Sequence, residues 1–550
     1  TLNPIRKPYN HIGQRTVLRP LYRRPLDAIL ATWGLGIVIG QVITLAFGRQ
    51  VQFAQSPLSG AAVILGATYS QYRLLLVMVA ALLAGLIALV LHGTRLGLVT
   101  RAVIANENLA QSLGVNSARV RFASFSLGSA LASLAGALVV PLSSVDPNMG
   151  VPWLVAAFML VLLSGSSLVS MAAAAVVLGS AQVLVSTYLN AVLGGMTIAI
   201  LAAVILRIRP TALPVRDGTG PAHGPARRRL RAVFVLVGVS MVLAAPLALD
   251  TYSVNVLTRS LLLATAALTV DLLWGYTGIL SFAQAAFLAI GAYALALVSS
   301  RLGFNVGTGL LALLLGMGAA GVSALLVGWL AFSYGASPLY VSTITLVFPI
   351  VFVQLIFAGG NVTGSSSGLS GFDVPDLDTE SWFRTAGLLL VGVTVLATTL
   401  VRSDFGRLLV AMRENEVRCQ YLGIPTARLK VSLFVACAMV CAAAGWIYAG
   451  ATAVVAPELG NFVSGTELVI YVALGGRGTL AGPILGAVTI DAISNYLNGA
   501  LPFLWTLIIG LVFVVVIVAL PGGLLSLLRL VAAGVPAPPP DGGTIQHPPR

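Results

Sequence analysis

The sequence predicts an all-α fold, a polytopic bundle of transmembrane helices made of two parallel, related halves. Three observations point there. Of 550 residues, 58% are hydrophobic and only 9% charged, against about 25% charged in soluble proteins. Apolar runs recur near the roughly 20 helical residues that a bilayer core demands. One polar segment appears twice, once in each half of the chain. The apolar runs do not alternate with polar residues, as the strands of a membrane barrel would.

The elements follow in chain order. Residues 1–206 form the first half, with spans expected at 26–47, 74–91 and 122–140. Residues 207–231, rich in Pro, Gly and Arg, read as a basic cytosolic linker. Residues 232–530 form the second half, with spans near 232–249, 255–273, 282–299, 308–332, 338–358, 386–401 and 504–520. The Pro-rich tail at 531–550 is expected to be disordered. The formal charge is +14, and the basic residues cluster at 6–24, 95–121 and 207–231. In so apolar a chain they set topology, because cytoplasmic loops carry the excess of Lys and Arg. No aromatic-interleaved basic patch accompanies them, so nucleic acid is not an expected partner.

Counting spans from the linker places the loop at 359–383 outside. Asp373, Asp376, Asp378 and Glu380 make it acidic, in agreement. After each polar segment two apolar stretches remain, although the chain has to finish in the cytosol. The first of these in the second half contains LGGRGTLAGP at 474–483. Glycine and proline at that density break a helix. A re-entrant or broken helix is expected there, with its freed backbone covered by protein or an aqueous cavity.

The repeated polar segments occupy 97–136 and 406–445 and align without a gap at an offset of 309 (423 − 114). Asn106/Asn415, Glu107/Glu416, Gln111/Gln420, Leu113/Leu422, Gly114/Gly423, Ala118/Ala427 and Arg119/Arg428 are identical pairs. Most are polar, so a shared lipid environment does not explain them. Both copies run in the same direction, as in parallel transporter repeats related by an axis along the membrane normal. Each reads as a short polar helix ending at Leu-Gly, on the cytosolic side. Presented twice, such a helix is a docking surface for a twofold partner; the alternative is an amphipathic anchor lying in the interface.

Residues 101–136 and 412–445 resemble the cytoplasmic coupling segments of the permeases in branched-chain amino acid and urea ABC importers. Such importers use two related permeases, and this chain resembles both of them fused. The first half resembles the shorter one through RPLYRRPLDAILATWGLGI, TRLGLVTRAV and VDPNMG; the second resembles the longer one through GYTGILSFAQAAFLAIGAYALAL, TGSSSGLSG and VALGGRGTLAGPILGA. The first spans of the shorter permease, with their glycine-rich segment, are expected to be missing. LSGSSLVS at 163–170 stands where that family has a glycine-rich loop, and Gln284 where it often has His. The resemblance implies a multi-pass protein of a prokaryotic plasma (inner) membrane. It also implies two separate ABC ATPase subunits and an extracytoplasmic solute-binding protein as partners, besides the lipid bilayer. Asn106, Glu107, Leu113, Gly114, Asn415, Glu416, Leu422 and Gly423 would be the ATPase-docking positions. The expected solute is a branched-chain amino acid; urea or a short-chain amide, and an ion-coupled secondary carrier, are the alternatives.

Tyr276, Ser281, Gln284, Glu467 and Arg477 are the candidates for the substrate path, because polar and ionisable groups at membrane depth mark pathways. Helix–helix contact and structural pairing, Glu467 with Arg477 above all, are the competing readings. Asp271 and Asp491 are further ionisable residues inside apolar segments. No enzyme activity, cofactor or metal site is expected. The only lysines are Lys7 and Lys430, and neither stands in the G-x-x-x-x-G-K-[ST] context of a P-loop. The four histidines are scattered, and Cys437 and Cys441, one turn apart in an apolar run, read as packing residues.

Overall fold

The computed structural model describes residues 25–519 and Gly523, except 49, 59, 65–66, 148, 165–167, 190–192, 198–199, 202–203, 205–239, 241, 244, 247–248, 333–337 and 502–503. The expected linker, the tail and most of the expected span at 232–249 lie outside the described residues. Among the described residues, nine helices are long and apolar enough to cross a membrane. Contacts group the described residues into two compact units, one holding Ile39–Val177 and the other holding 25–38 and the residues from Leu178 onward.

The first unit starts within α1 (Pro25–Phe47) and continues through the hairpin β1 (Ala61–Ile64) and β2 (Ala67–Ser70) to α2 (Gln71–Gly93). The antiparallel hairpin pairs Ala61 with Ser70 and Ile64 with Ala67. Next come α3 (Arg95–Ala105), α4 (Glu107–Ser112), α5 (Ser117–Val139), α6 (Gly150–Ser164) and the start of α7 (Leu168–Tyr188). The buried Tyr72 ties α2 to α5, its hydroxyl donating to the Leu138 carbonyl at 2.8 Å. Gln52 and Val145 exchange backbone hydrogen bonds at 2.9 and 2.8 Å, pinning the hairpin's approach to the segment after α5. Outward side chains such as Val77, Leu82 and Leu89 on α2 are exposed and apolar, as a lipid-facing helix requires.

The second unit is better packed. Its helices are α8 (Thr251–Thr277), α9 (Gln284–Leu302), α10 (Val306–Ala331), α11 (Pro338–Ala358), α12 (Thr379–Arg402), α13 (Asp404–Tyr421), α14 (Thr426–Thr452), α15 (Phe462–Gly475), α16 (Ala481–Ala500) and α17 (Trp505–Ala519). Helices α9, α10 and α14 pack on one another, while α8 packs on α12, α14 and α16. Gly291 and Gly445 bring α9 and α14 into backbone contact: a Cβ on the first would overlap the Ala442 carbonyl, one on the second the Leu288 carbonyl. Small residues at such crossings replace the hydrophobic drive that lipid removes. Cys437 and Cys441 are free and buried in α14, and Cys441 Sγ lies 3.1 Å from the Thr269 hydroxyl. Strands β3 (Leu369–Ser370) and β4 (Val454–Val455) pair the acidic loop's segment with the end of α14.

Among the described residues three α-helices follow α14, not two. Helix α15 has 14 residues, about 21 Å. It stops at Gly475, the chain turns through 476–480, and α16 runs back along α8. Gly478 bonds to Asp271 on α8, and Asp491, further along α16, bonds to Ser260 nearer the start of α8. LGGRGTLAGP is therefore the tip of a helical hairpin.

Candidate functional site

The two polar segments fold alike, with the same caps and the same kink. Thr94 Oγ1 accepts from the amide of Gly97 at 3.3 Å; Ser403 Oγ accepts from that of Gly406 at 3.4 Å. The helix then breaks at an asparagine, with φ −156°, ψ 102° at Asn106 and φ −157°, ψ 93° at Asn415. Each carboxamide recaps the helix, Asn106 Oδ1 accepting from Leu109 N at 3.1 Å and Asn415 Oδ1 from Arg418 N at 2.9 Å. Asparagine suits this place because its short side chain satisfies an orphan amide of the next turn. The expected single short helix is thus two helices joined by a capping kink.

The carboxylates turn inward. Glu107 meets Arg121 with two contacts of 2.8 and 2.9 Å, and Glu416 meets Lys430 at 2.6 Å. Gln111 donates to Ser117 at 2.7 Å and Gln420 to Thr426 at 3.2 Å. Both turns end on a left-handed glycine, φ +86° at Gly114 and +80° at Gly423, a conformation in which a Cβ is costly. Immediately before each glycine a leucine projects into solvent: Leu113 is 77% and Leu422 74% exposed. Of the predicted docking residues, Leu113, Leu422 and the glycines form the outer knob. Asn106, Glu107, Asn415 and Glu416 hold it in shape.

The substrate-path candidates fall into three places. At the hairpin tip, fully buried Asp271 accepts from the amides of Gly478 at 2.5 Å and Leu480 at 3.2 Å. Tyr276 donates to the Gly478 carbonyl at 3.2 Å, and the Arg477 guanidinium stacks on Trp274, 5.1 Å from the ring centre. Ser281 and Gln284, both fully buried, lie in and just after the α8–α9 connection. Ser281 Oγ accepts from Ala283 N at 3.3 Å, and both amide atoms of Gln284 lack partners among the described residues. Glu467 is elsewhere, lining a small cavity of about 40 Å³ with Arg259, Tyr448, Ser464 and Tyr471.

The expected Glu467–Arg477 pair does not form. Glu467 stands in the second turn of α15, whereas Arg477 lies in the turn beyond that helix's last residue, Gly475. Arg477 takes the Trp274 face instead.

A family described as the branched-chain amino acid transport system permease component matches residues 16–206 and 252–517. The chain belongs to that family. The permease is 26% identical over 346 residues to the high-affinity branched-chain amino acid transport system permease protein LivM of Escherichia coli, covering 58% of this chain and 78% of LivM. To LivM of Salmonella typhimurium it is 27% identical over 326 residues, 54% of this chain and 75% of that one. To the autoinducer 2 import system permease protein LsrC of Yersinia enterocolitica it is 28% identical over 290 residues, 50% and 75% of the two chains. No solved structure matches. As a member, the permease is an integral inner-membrane transport component of an ABC importer, a family that works with ATPase and binding-protein partners.

Sequence reading missed several residues that build these sites. Arg121 and Lys430 occupy aligned positions but differ in identity, as do the capping Thr94 and Ser403; the signal was the shared chemistry, not the letter. Arg413 was also missed. It sits on α13 just before the kink, and its Nη1 donates to the Gly275 carbonyl at the end of α8. Burial, and after it the nearby Arg477 charge, lowers the Arg413 pKa from its ordinary value. The permease's second polar segment is thereby joined directly to α8, and through Tyr276 and Asp271 to the hairpin tip.

Proposed function

We propose that the permease translocates branched-chain amino acids, driven by two ABC ATPase subunits that dock on Leu113–Gly114 and Leu422–Gly423, and fed by an extracytoplasmic solute-binding protein. The observation that carries this reading is the docking knob built twice, with the same caps, kink, ion pair and left-handed glycine at a constant offset. Identical knobs suit identical or closely related motors. The names of the LivM relatives support the solute class. The path from motor to membrane runs from the α13 knob through Arg413 to α8, so a push on the knob moves a helix that holds Asp271 and the hairpin tip.

Copurification tests the docking. Gly423→Pro removes the left-handed turn, and Glu416→Arg puts two cations side by side at Lys430. Both variants are expected to insert into the membrane yet lose the ATPase. If the ATPase copurifies with both, docking at this knob is wrong. Vesicle uptake tests the energy source: leucine entry that follows a proton gradient and ignores ATP would instead support a secondary carrier.

A further inference from the structure

We propose that the cavity between α8, α9, α14 and α15 is a binding site for the zwitterionic head group of the transported amino acid, with Arg259 taking the α-carboxylate and Glu467 the α-ammonium. This rests on the amino-acid reading above. Charge is the first reason. Arg259 and Glu467 carry opposite signs on two neighbouring apolar helices and both line the same cavity. Such groups at membrane depth face a polar cavity or a partner, because lipid does not solvate them.

Their existing partners do not account for them. Asp491 accepts a short 2.6 Å hydrogen bond from Ser260, while Arg259 Nε reaches Asp491 only at 3.9 Å. Arg259 and Glu467 are both exposed; they attract one another, and Arg259 also attracts Asp491, through space, but neither the terminal nitrogens of Arg259 nor the carboxylate oxygens of Glu467 make a hydrogen bond among the described residues. A guanidinium fork left open suits a planar carboxylate.

Shape is the second reason. The rest of the wall is hydrophobic, from Leu263, Leu288, Leu459 and Leu468. Tyr448 and Tyr471 add phenolic oxygens beside the charges. A cavity of about 40 Å³ holds about three waters, the scale of an ammonium and a carboxylate. Urea or a neutral amide would need neither full charge.

Asp491 is the other acid facing these charges, 3.9 Å from Arg259 Nε, and the Ser464 hydroxyl donates to the Glu458 backbone carbonyl at 2.7 Å.

The test uses the permease assembled with its ATPase and binding protein in proteoliposomes. Glu467→Gln and Arg259→Gln are each expected to cut ATP-driven leucine uptake about tenfold or more, while complex assembly and binding-protein-stimulated ATP hydrolysis persist. A second readout leaves both charges in place: Ser464→Cys is labelled with a small water-soluble methanethiosulfonate, and leucine is expected to slow the labelling. Glu467→Gln in that background is expected to abolish the protection. Wild-type complex that takes up no leucine overturns the amino-acid reading and this site with it. Wild-type uptake with both variants within twofold, or Ser464→Cys labelling indifferent to leucine, overturns the site alone.

Discussion

Asp271 offers the sharpest test of how the hairpin is held. It is fully buried and its two oxygens cap the amides of Gly478 and Leu480. Asp271→Ala leaves both amides buried without an acceptor, and each orphaned donor costs about 1–3 kcal/mol. Relief of the buried carboxylate's own desolvation offsets part of that, so a net loss of about 2–4 kcal/mol is expected. Asp271→Asn keeps one acceptor and turns an NH₂ towards the other amide, so roughly half that loss is expected. Cys419, Cys437 and Cys441 are all free and buried, so a thiol-reactive fluorogenic dye reports unfolding of detergent-solubilised protein. The midpoint is expected to fall by several degrees for Ala and by less for Asn, given about 2–4 °C per kcal/mol in sizeable domains. Midpoints within about 1 °C of the wild type for both variants would refute the capping role.

Further outcomes follow from the same contacts. Gly423→Ala meets no neighbouring atom, so its cost is the left-handed backbone alone, about 1–2 kcal/mol; Gly423→Asn is expected to cost less in the same melting assay. Lys430→Met leaves Glu416 without its 2.6 Å partner and is expected to cost about 1 kcal/mol, with Glu416→Gln restoring part of it in a double-mutant cycle. Gly445→Val forces a side chain into the Leu288 backbone and is expected to lower the midpoint more than Gly392→Val, which meets no neighbouring atom around its Cβ; overpacking costs about 1–3 kcal/mol or more.

Much of this protein was legible before its fold was. Hydropathy located most of the helices long and apolar enough to cross, though no span was named for Val169–Tyr188 or Thr426–Thr452, because lipid-facing helices such as α2 have no reason to vary their apolar character. The 474–483 break was legible from glycine and proline. Its role as a hairpin tip was not, because that depends on Asp271 and Tyr276, far away in the chain. The polar repeat stood out through Asn106, Leu113 and Gly114 and their counterparts, positions where geometry admits few residue types. Arg121/Lys430 and Thr94/Ser403 escaped because either member of each pair does the same work. Glu467 was legible as an ionisable residue in an apolar helix, but its cavity neighbours Arg259 and Tyr448 come from other helices, which periodicity along one segment cannot reveal.

The central claim is that the two exposed leucines are the contact points of two motors. Single cysteines at Leu113 and Leu422 test it directly, by crosslinking the assembled complex with its ATPase. Each variant is expected to crosslink one ATPase subunit, and the double variant two. A crosslink at one position only, or labelling of either cysteine from outside intact cells by a membrane-impermeant reagent, would contradict it.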